Sequence, residues 1–209
     1  MDPNAMDALL VYPATLVLIA LNVIASVLAF NNRDLFDRYC FWIKPIREGE
    51  EWFRFVTSAF LHVNGMHLFI NMYVLYTFGK ILEAYVGSGG FLILYAASML
   101  GGNVWEYADK HNEPNYRAVG ASGATSGVIT GFCLFYPFAM LYLFFAIPMW
   151  AIVFGVSFIV VSFILSQRDQ TMVAHGAHLG GALTGLVIAV LLRPAAWRDL
   201  IDQVAHRIG

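Results

Sequence analysis

Long apolar stretches without charge alternate with short charged segments along this chain. Five blocks contain no Asp, Glu, Lys or Arg, and the fourth of them, residues 118–167, is 50 residues long. A membrane-crossing helix needs about 20 apolar residues, so this block can hold two. Proline cannot continue a helix interior, and Tyr136-Pro137 is therefore the expected break. The pattern predicts six helices, at about 8–30, 55–80, 87–106, 120–136, 138–165 and 171–192.

Composition points to the same class. Of the 209 residues, 59% are hydrophobic and 12% are charged, whereas soluble domains are nearer 45–50% apolar and about 25% charged. We predict an all-α membrane protein, a six-transmembrane-helix bundle that forms a single domain over residues 1–209. The net charge of −2 suggests no nucleic-acid partner. Cys40 and Cys133 lie far apart without a CxxC pattern, so both are expected to be unpaired and structural.

Two connecting segments carry most of the charge. The first loop, residues 31–54, mixes five acidic and five basic side chains with six aromatic ones. Aromatic rings and long cationic side chains suit the headgroup region of a bilayer, so this loop is predicted to be an interfacial structure. The loop at residues 105–119 is polar and is predicted to be solvated, without a chemical role.

Small residues recur at helical spacing in two of the predicted spans. Glycines at 123, 127 and 131 follow Ser122, and Gly181 and Gly185 follow His178. Residues four apart share a helix face, and small residues there let helices approach closely. A fourth helix of about 17 residues is about 25 Å long, which is shorter than the ~30 Å hydrocarbon core. One of its ends is therefore predicted to stop inside the membrane, which would place Ser122 in a wet cavity if it is that end.

A serine and a histidine on two closely packed helices could do nucleophilic chemistry. A serine hydroxyl is a weak nucleophile until a base takes its proton, and histidine is the usual base. A tetrahedral oxyanion needs hydrogen-bond donors. His67 and Asn71, one turn apart, could supply them together with the backbone N–H of Ser122. No Asp or Glu lies within the last three spans, so the prediction is a Ser–His dyad without a third carboxylate.

Other interpretations of these residues remain open. Ser122 alone could serve helix packing, and His178 alone could be a hydrogen-bonded core histidine. Histidine is a common metal ligand, so His67 and His178 with His62 and His175 could form a metal site, although no acidic or thiolate partner is near. His62 is expected to brace local structure. A small transporter would need paired charges or broken helices at the midplane, and only the histidines offer that.

A series of short motifs runs along the six predicted spans. In chain order they are Arg54, His62, Gly65-Met66-His67 with Asn71, Phe78-Gly79 with Glu83, Gly87-Ser88, Gly120-Ala121-Ser122-Gly123, and Ala177-His178 with Gly181 and Gly185. Together and in this order, they resemble the rhomboid family of intramembrane serine proteases. The resemblance extends from about residue 54 to residue 189. It departs at Ser126, where many relatives carry an aromatic residue beside the catalytic histidine, and at Ala189, where a glycine is usual.

The resemblance implies a function and a site. It implies Ser122 as the nucleophile, His178 as the general base, and His67 and Asn71 at the oxyanion positions, with no metal and no cofactor. The family's fold is a six-helix bundle whose short fourth helix carries the serine, and its substrates are single-span membrane proteins cut in or near the membrane segment. The fifth helix and the loop at residues 166–171 would form the gate. The expected location is the bacterial cell (inner) membrane. The alternative is a rhomboid-like protein that binds membrane helices without cutting them.

Overall fold

A computed structural model describes residues 12–143, 146–167 and 174–208 of the chain. In the first half, helices follow one another with few extended segments. The elements there are α1 (Pro13–Phe30), α2 (Arg33–Tyr39), β1 (Phe41–Trp42), α3 (Ile43–Gly49), α4 (Arg54–Thr57) with a 3-10 turn (Ser58–Phe60), α5 (Gly65–Val74), one π-helical turn (Leu75–Gly79) and α6 (Lys80–Lys110).

The second half contains the two helices that carry the candidate dyad. Its elements are β2 (Arg117–Ala118), α7 (Ser122–Phe135), β3 (Met140–Leu143), β4 (Ile147–Trp150), α8 (Ala151–Ser166), α9 (His175–Leu192) and α10 (Ala195–Ile208). β1 pairs with β2, and β3 pairs with β4, both antiparallel. Residues 8–11 of the first predicted helix and 171–173 of the sixth lie outside the described ranges.

The chain is an integral multi-pass membrane protein with an all-α fold. Three helical segments in the described ranges are long and apolar enough to cross a membrane: α1, the run 65–110 and α9. Two shorter apolar helices, α7 and α8, accompany them. The run 65–110 changes direction at Gly87, where φ is 76° and ψ is 161°, a conformation that glycine adopts at little cost. The count of six spans stays a prediction.

The second predicted helix, 55–80, is broken near its start. The chain leaves the 3-10 turn in an extended conformation at Leu61, and α5 begins only at Gly65. The side chain of Asn64 accepts a hydrogen bond from the backbone N–H of His67 at 2.8 Å. Asparagine at this position satisfies an N–H group that a helix start leaves unpaired. The break therefore places His67 in the first turn of α5.

The predicted fifth helix, 138–165, is wrong in its first part. Met140–Leu143 and Ile147–Trp150 pair as the antiparallel strands β3 and β4, in which Pro148 lies opposite Tyr142, and α8 begins at Ala151. An uncharged apolar stretch does not by itself distinguish strand from helix. Pro148 would interrupt a helix, whereas an edge strand tolerates it, and both strands of a two-stranded hairpin are edges.

The first loop, which was predicted to be interfacial, pairs with the segment that precedes α7. The guanidinium group of Arg54, which is 3% exposed, donates to the backbone carbonyls of Asp37 and Cys40 and pairs with Glu51 at 2.6 Å. A small buried cluster formed by Phe41, Ile43 and Ile46 lies beside this pair. Because β1 pairs with β2, the loop is held against the segment that leads to Ser122.

The central layer of the bundle consists of α6, α7 and α9. α7 buries twelve of its fourteen residues, whereas only Ala151, Gly155 and Ser162 are buried among the sixteen residues of α8. α8 is anchored near its start, where a Cβ on Gly155 would lie 3.0 Å from Cβ of Cys133. Most residues of α8 therefore face outward.

Candidate active site

The segment that enters α7 is held by two backbone hydrogen bonds. The N–H of Gly120 donates to the carbonyl of Ser58 at 3.0 Å, and the N–H of Ala121 donates to Nε2 of His62 at 3.4 Å. Gly120 has φ of +135°, which favours glycine. Ser122 follows as the first residue of α7. The serine thus lies at the N-terminus of a helix, where backbone N–H groups have no partner within the helix.

His62 braces this entry, as predicted. Its ring is fully buried, and Nδ1 lies 2.8 Å from the hydroxyl of Ser26 in α1. Since Nε2 accepts from Ala121, Nδ1 carries the proton and donates to Ser26, which in turn donates to the carbonyl of Phe60 at 3.0 Å. Both nitrogens of His62 are used within the protein, so this histidine is not available as a base or a ligand in this arrangement.

His67 lies beside Ser122. A Cβ on Gly120 would lie 2.7 Å from Cε1 and 2.9 Å from Nε2 of His67, and 3.6 Å from the hydroxyl oxygen of Ser122. Nδ1 of His67 is buried and has no hydrogen-bond partner among the described residues. The two side chains thus flank one point in front of Gly120, and only a glycine leaves that space open.

Asn71 lies one turn after His67 on α5 and is 4% exposed. Its amide nitrogen donates to the carbonyl of His67 at 3.0 Å, and its amide oxygen accepts from the hydroxyl of Thr125 at 3.1 Å. These bonds direct the amide toward α7, close to the turn that begins with Ser122. To donate to an oxyanion, the amide has to give up its bond to the carbonyl of His67.

The backbones of α7 and α9 are in contact beside Ser122 and His178. A Cβ on Gly123 would lie 3.3 Å from the carbonyl oxygen of Ala177, and a Cβ on Gly185 would lie 2.7 Å from the carbonyl oxygen of Gly127. Gly123 directly follows Ser122, and Ala177 directly precedes His178. The glycine stripes therefore bring the serine and the histidine to the same level on facing helices.

Ser122 and His178 are both half-buried, so neither is sealed from its surroundings. In the described part of the chain no hydrogen bond joins the Ser122 hydroxyl to the His178 ring. Bonds of this kind are often long before substrate binds. The ring of His175 lies 5.7 Å from that of His178 between centroids, nearly perpendicular. Within the described ranges no group of three or more His, Cys, Asp or Glu side chains could hold a metal ion.

Ser126, one of the two positions at which the sequence departs from the pattern that it resembles, makes a hydrogen bond within α7. Its hydroxyl donates to the carbonyl of Ser122 at 2.6 Å, and the side chain is buried. An aromatic neighbour of His178 comes instead from Phe158 of α8, whose ring lies 6.2 Å away between centroids at an interplanar angle of 26°. Phenylalanine recurs through residues 138–163 of the sequence, but this pattern does not single out position 158.

The segment predicted to be a solvated loop contains a buried acid that sequence reasoning missed. Helix α6 continues to Lys110, and Glu106 near its C-terminal end is 2% exposed. The Glu106 carboxylate accepts hydrogen bonds from the backbone N–H of Ala177 and from the hydroxyl of Tyr116. It therefore lies at the start of the helix that carries His178.

The fold and the candidate site define a class of protein. It is a helical membrane protein in which a serine and a histidine lie on two helices whose backbones are in contact. The model of the Rhomboid domain family matches residues 49–195. The chain is 28% identical over 185 residues to RHOMBOID-like protein 12, mitochondrial, of Arabidopsis thaliana, covering 81% of this chain and 54% of that protein. It is 39% identical over 79 residues to the putative rhomboid protease YdcA of Bacillus subtilis (37% of this chain, 38% of that protein). It is 38% identical over 79 residues to Rhomboid-like protein 11, chloroplastic, of Arabidopsis thaliana (37% and 27%).

The chain belongs to the rhomboid family, because the family model covers more than half of its length. It spans about half of the length of the first of these relatives and less of the other two. The predicted family and the predicted all-α membrane fold are confirmed. The roles of Ser122, His178, His67 and Asn71 are matters of proposal.

Proposed function

We propose that the protein is an intramembrane serine endopeptidase. In this proposal the hydroxyl of Ser122 attacks the scissile carbonyl carbon, and His178 takes the hydroxyl proton and later gives it to the leaving amine. The observation that supports it is the contact between the backbones of Gly123 and Ala177, which are the direct neighbours of the two residues. Both residues are half-buried rather than fully enclosed, which is compatible with a reaction that needs substrate and water.

The tetrahedral oxyanion would be stabilised from two sides. The backbone N–H of Ser122 is free at the start of α7 by its position in the helix. His67, which shares with Ser122 the space in front of Gly120, and Asn71 would donate from α5. Donors placed in advance where negative charge develops are commonly the largest contribution to such a reaction. No metal or cofactor takes part in this chemistry.

The substrates would be single-span membrane proteins cut in or near their membrane segment. An extended substrate needs a lateral route to Ser122, and α8 is the helix that buries the smallest share of its surface beside the site. Phe158 covers His178 from that helix, so displacing α8 would uncover the histidine. The loop at 166–171, the other part of the expected gate, lies mostly outside the described residues.

We propose the bacterial cell membrane as the compartment, on the similarity to the Bacillus subtilis protein. The names of two other relatives contain the words mitochondrial and chloroplastic. Fractionation of the host cells therefore tests which membrane contains this protein. That residues 1–209 form one domain stays a prediction.

The decisive experiment compares the purified protein with Ser122→Ala and His178→Ala in detergent. A fluorophosphonate probe is expected to label the wild type and neither variant, and only the wild type is expected to cut a model single-span substrate. His111→Ala is the matched control, because it removes an exposed histidine at the end of α6 that makes no ring contact with His178 among the described residues. Cleavage by Ser122→Ala would exclude the proposed mechanism. A folded wild type that binds the substrate but neither cuts it nor takes the label would instead be a non-catalytic rhomboid-like binder.

A further inference from the structure

Glu106 caps the helix that carries His178. Its Oε2 accepts the backbone N–H of Ala177 at 2.6 Å, and the peptide of Ala177 leads directly into His178. Ala174, which precedes α9, makes no side-chain cap, so a carboxylate from α6 fills that place. A negative charge at a helix N-terminus is also favoured by the helix dipole.

The same carboxylate reaches the segment that leads to Ser122. Its other oxygen accepts the hydroxyl hydrogen of Tyr116, the residue directly before β2. Burial and the adjacent charge of Glu106 raise the pKa of Tyr116, so this hydroxyl stays a donor. From β2 the chain runs through Gly120 to Ser122. Glu106 is therefore hydrogen-bonded both to the first turn of α9 and to the segment that leads to Ser122.

The surroundings of Glu106 leave little room for movement. A Cβ on Gly176 would lie 2.5 Å from Oε2 of Glu106, and a Cβ on Gly180 would lie 2.5 Å from Cβ of Trp105. The last turns of α6 are thus in close contact with the first turns of α9. A shift of the carboxylate would be passed on to the backbone of α9.

We propose that Glu106 is a positioning residue, which fixes the first turn of α9 relative to the entry of α7 and so sets the separation of Ser122 and His178. This inference rests on the proposed function. Glu106 does not touch the reacting atoms, and its effect is exerted through the backbone of Ala177 and the hydroxyl of Tyr116.

The test compares Glu106→Ala, Glu106→Gln and Tyr116→Phe by kcat and KM for a single-span substrate. Glu106→Ala is expected to lower kcat by about 10², the scale of a 1 Å misplacement, with KM near wild type. Glu106→Gln is expected to restore kcat to within about threefold, because an amide oxygen still accepts from Ala177 and the amide NH₂ can meet Tyr116. Tyr116→Phe should cost about tenfold.

Glu113→Gln is the matched control, since this exposed acid seven residues away pairs only with Lys110 among the described residues, and it should leave kcat unchanged. A purely structural role would lower the unfolding temperature and the folded fraction, but kcat per folded, probe-labelled molecule would stay at the wild-type value. The proposal is overturned if Glu106→Ala keeps wild-type kcat, if its loss equals the loss of folded protein, or if Glu106→Gln is as slow as Glu106→Ala.

Amide hydrogen exchange provides a readout that does not need proteolysis. Faster exchange at the amide of Ala177 in Glu106→Ala, but not in Glu106→Gln, is expected. If the wild type cuts nothing, the proposed function fails, and exchange alone then decides whether Glu106 holds α9. Equal protection of Ala177 in all variants overturns the inference whether or not the protein is a protease.

Discussion

Gly102 is the point of α6 where a single methyl group should disturb both dyad helices. A Cβ there would lie 2.6 Å from the carbonyl oxygen of Ala177 and 3.3 Å from Cα of Gly123. Ordinary contacts begin near 3.4 Å, so α9 has to move away from α6 by about 0.8 Å. Both neighbouring atoms belong to the backbone, so no side-chain rotation can relieve the clash.

The expected result of Gly102→Ala is a large loss of rate with a small loss of stability. Overpacking costs typically ~1–3 kcal/mol, and the gain in helix propensity from glycine to alanine offsets up to about 1 kcal/mol of it. A displacement close to 1 Å can lower the rate by about 10², since Ala177 and Gly123 adjoin His178 and Ser122. The assay is kcat and KM on a single-span substrate, together with thermal unfolding in the same detergent.

Gly89→Ala is the matched control on the same helix, because nothing lies within 4 Å of a Cβ there. It should keep wild-type kcat and unfold no earlier than the wild type. If Gly102→Ala retained wild-type kcat while remaining folded, the separation of the dyad would not be set by the contacts of α6 with α7 and α9, and the reasoning would be refuted.

Two further perturbations test other parts of the site and the fold. His67→Ala and Asn71→Ala should each slow cleavage by ~10²–10³ without abolishing it, as for loss of one oxyanion donor; wild-type rates in both would show that neither donates. Burial raises the pKa of the Cys40 thiol, and the thiolate is the reactive form. In a Cys133→Ala background a maleimide at pH 8 should therefore label Cys40 at least about tenfold more slowly in the native protein than after denaturation, and equal rates would contradict its burial.

Local sequence patterns predicted several structural features around the candidate site, because glycine spacing, proline positions and helical periodicity act over a few residues. The glycines after Ser122 and His178 indicated helices in close contact, and the structure brings Gly123 and Ala177 together. Pro137 marked the end of a short helix, and α7 ends at Phe135. The spacing of His67 and Asn71 placed them one turn apart, as they are.

The features that the sequence did not predict depend either on tertiary contacts or on the choice between strand and helix, which an apolar composition does not decide. Glu106 falls where the predicted third helix, 87–106, overlaps the loop at 105–119 that was given no chemical role, and no local pattern shows that the start of α9 supplies an N–H for its carboxylate. The hairpin before α8 was taken for helix because strands and helices within a membrane protein share an apolar composition. Pro148 and the Asn64-Gly65 pair were available signals, since proline disrupts helix interiors and asparagine favours helix starts.

Helix α1 limits how far the protein can be truncated. The family match begins at residue 49, yet the buried carboxylate of Glu83 is satisfied by the amides of Ala14 and Thr15, and His62 depends on Ser26. A recombinant fragment trimmed to the matched boundaries would leave an acid and an imidazole inside the bundle without these partners. The smallest unit that can be expressed and handled therefore retains α1, although no reacting group lies on it.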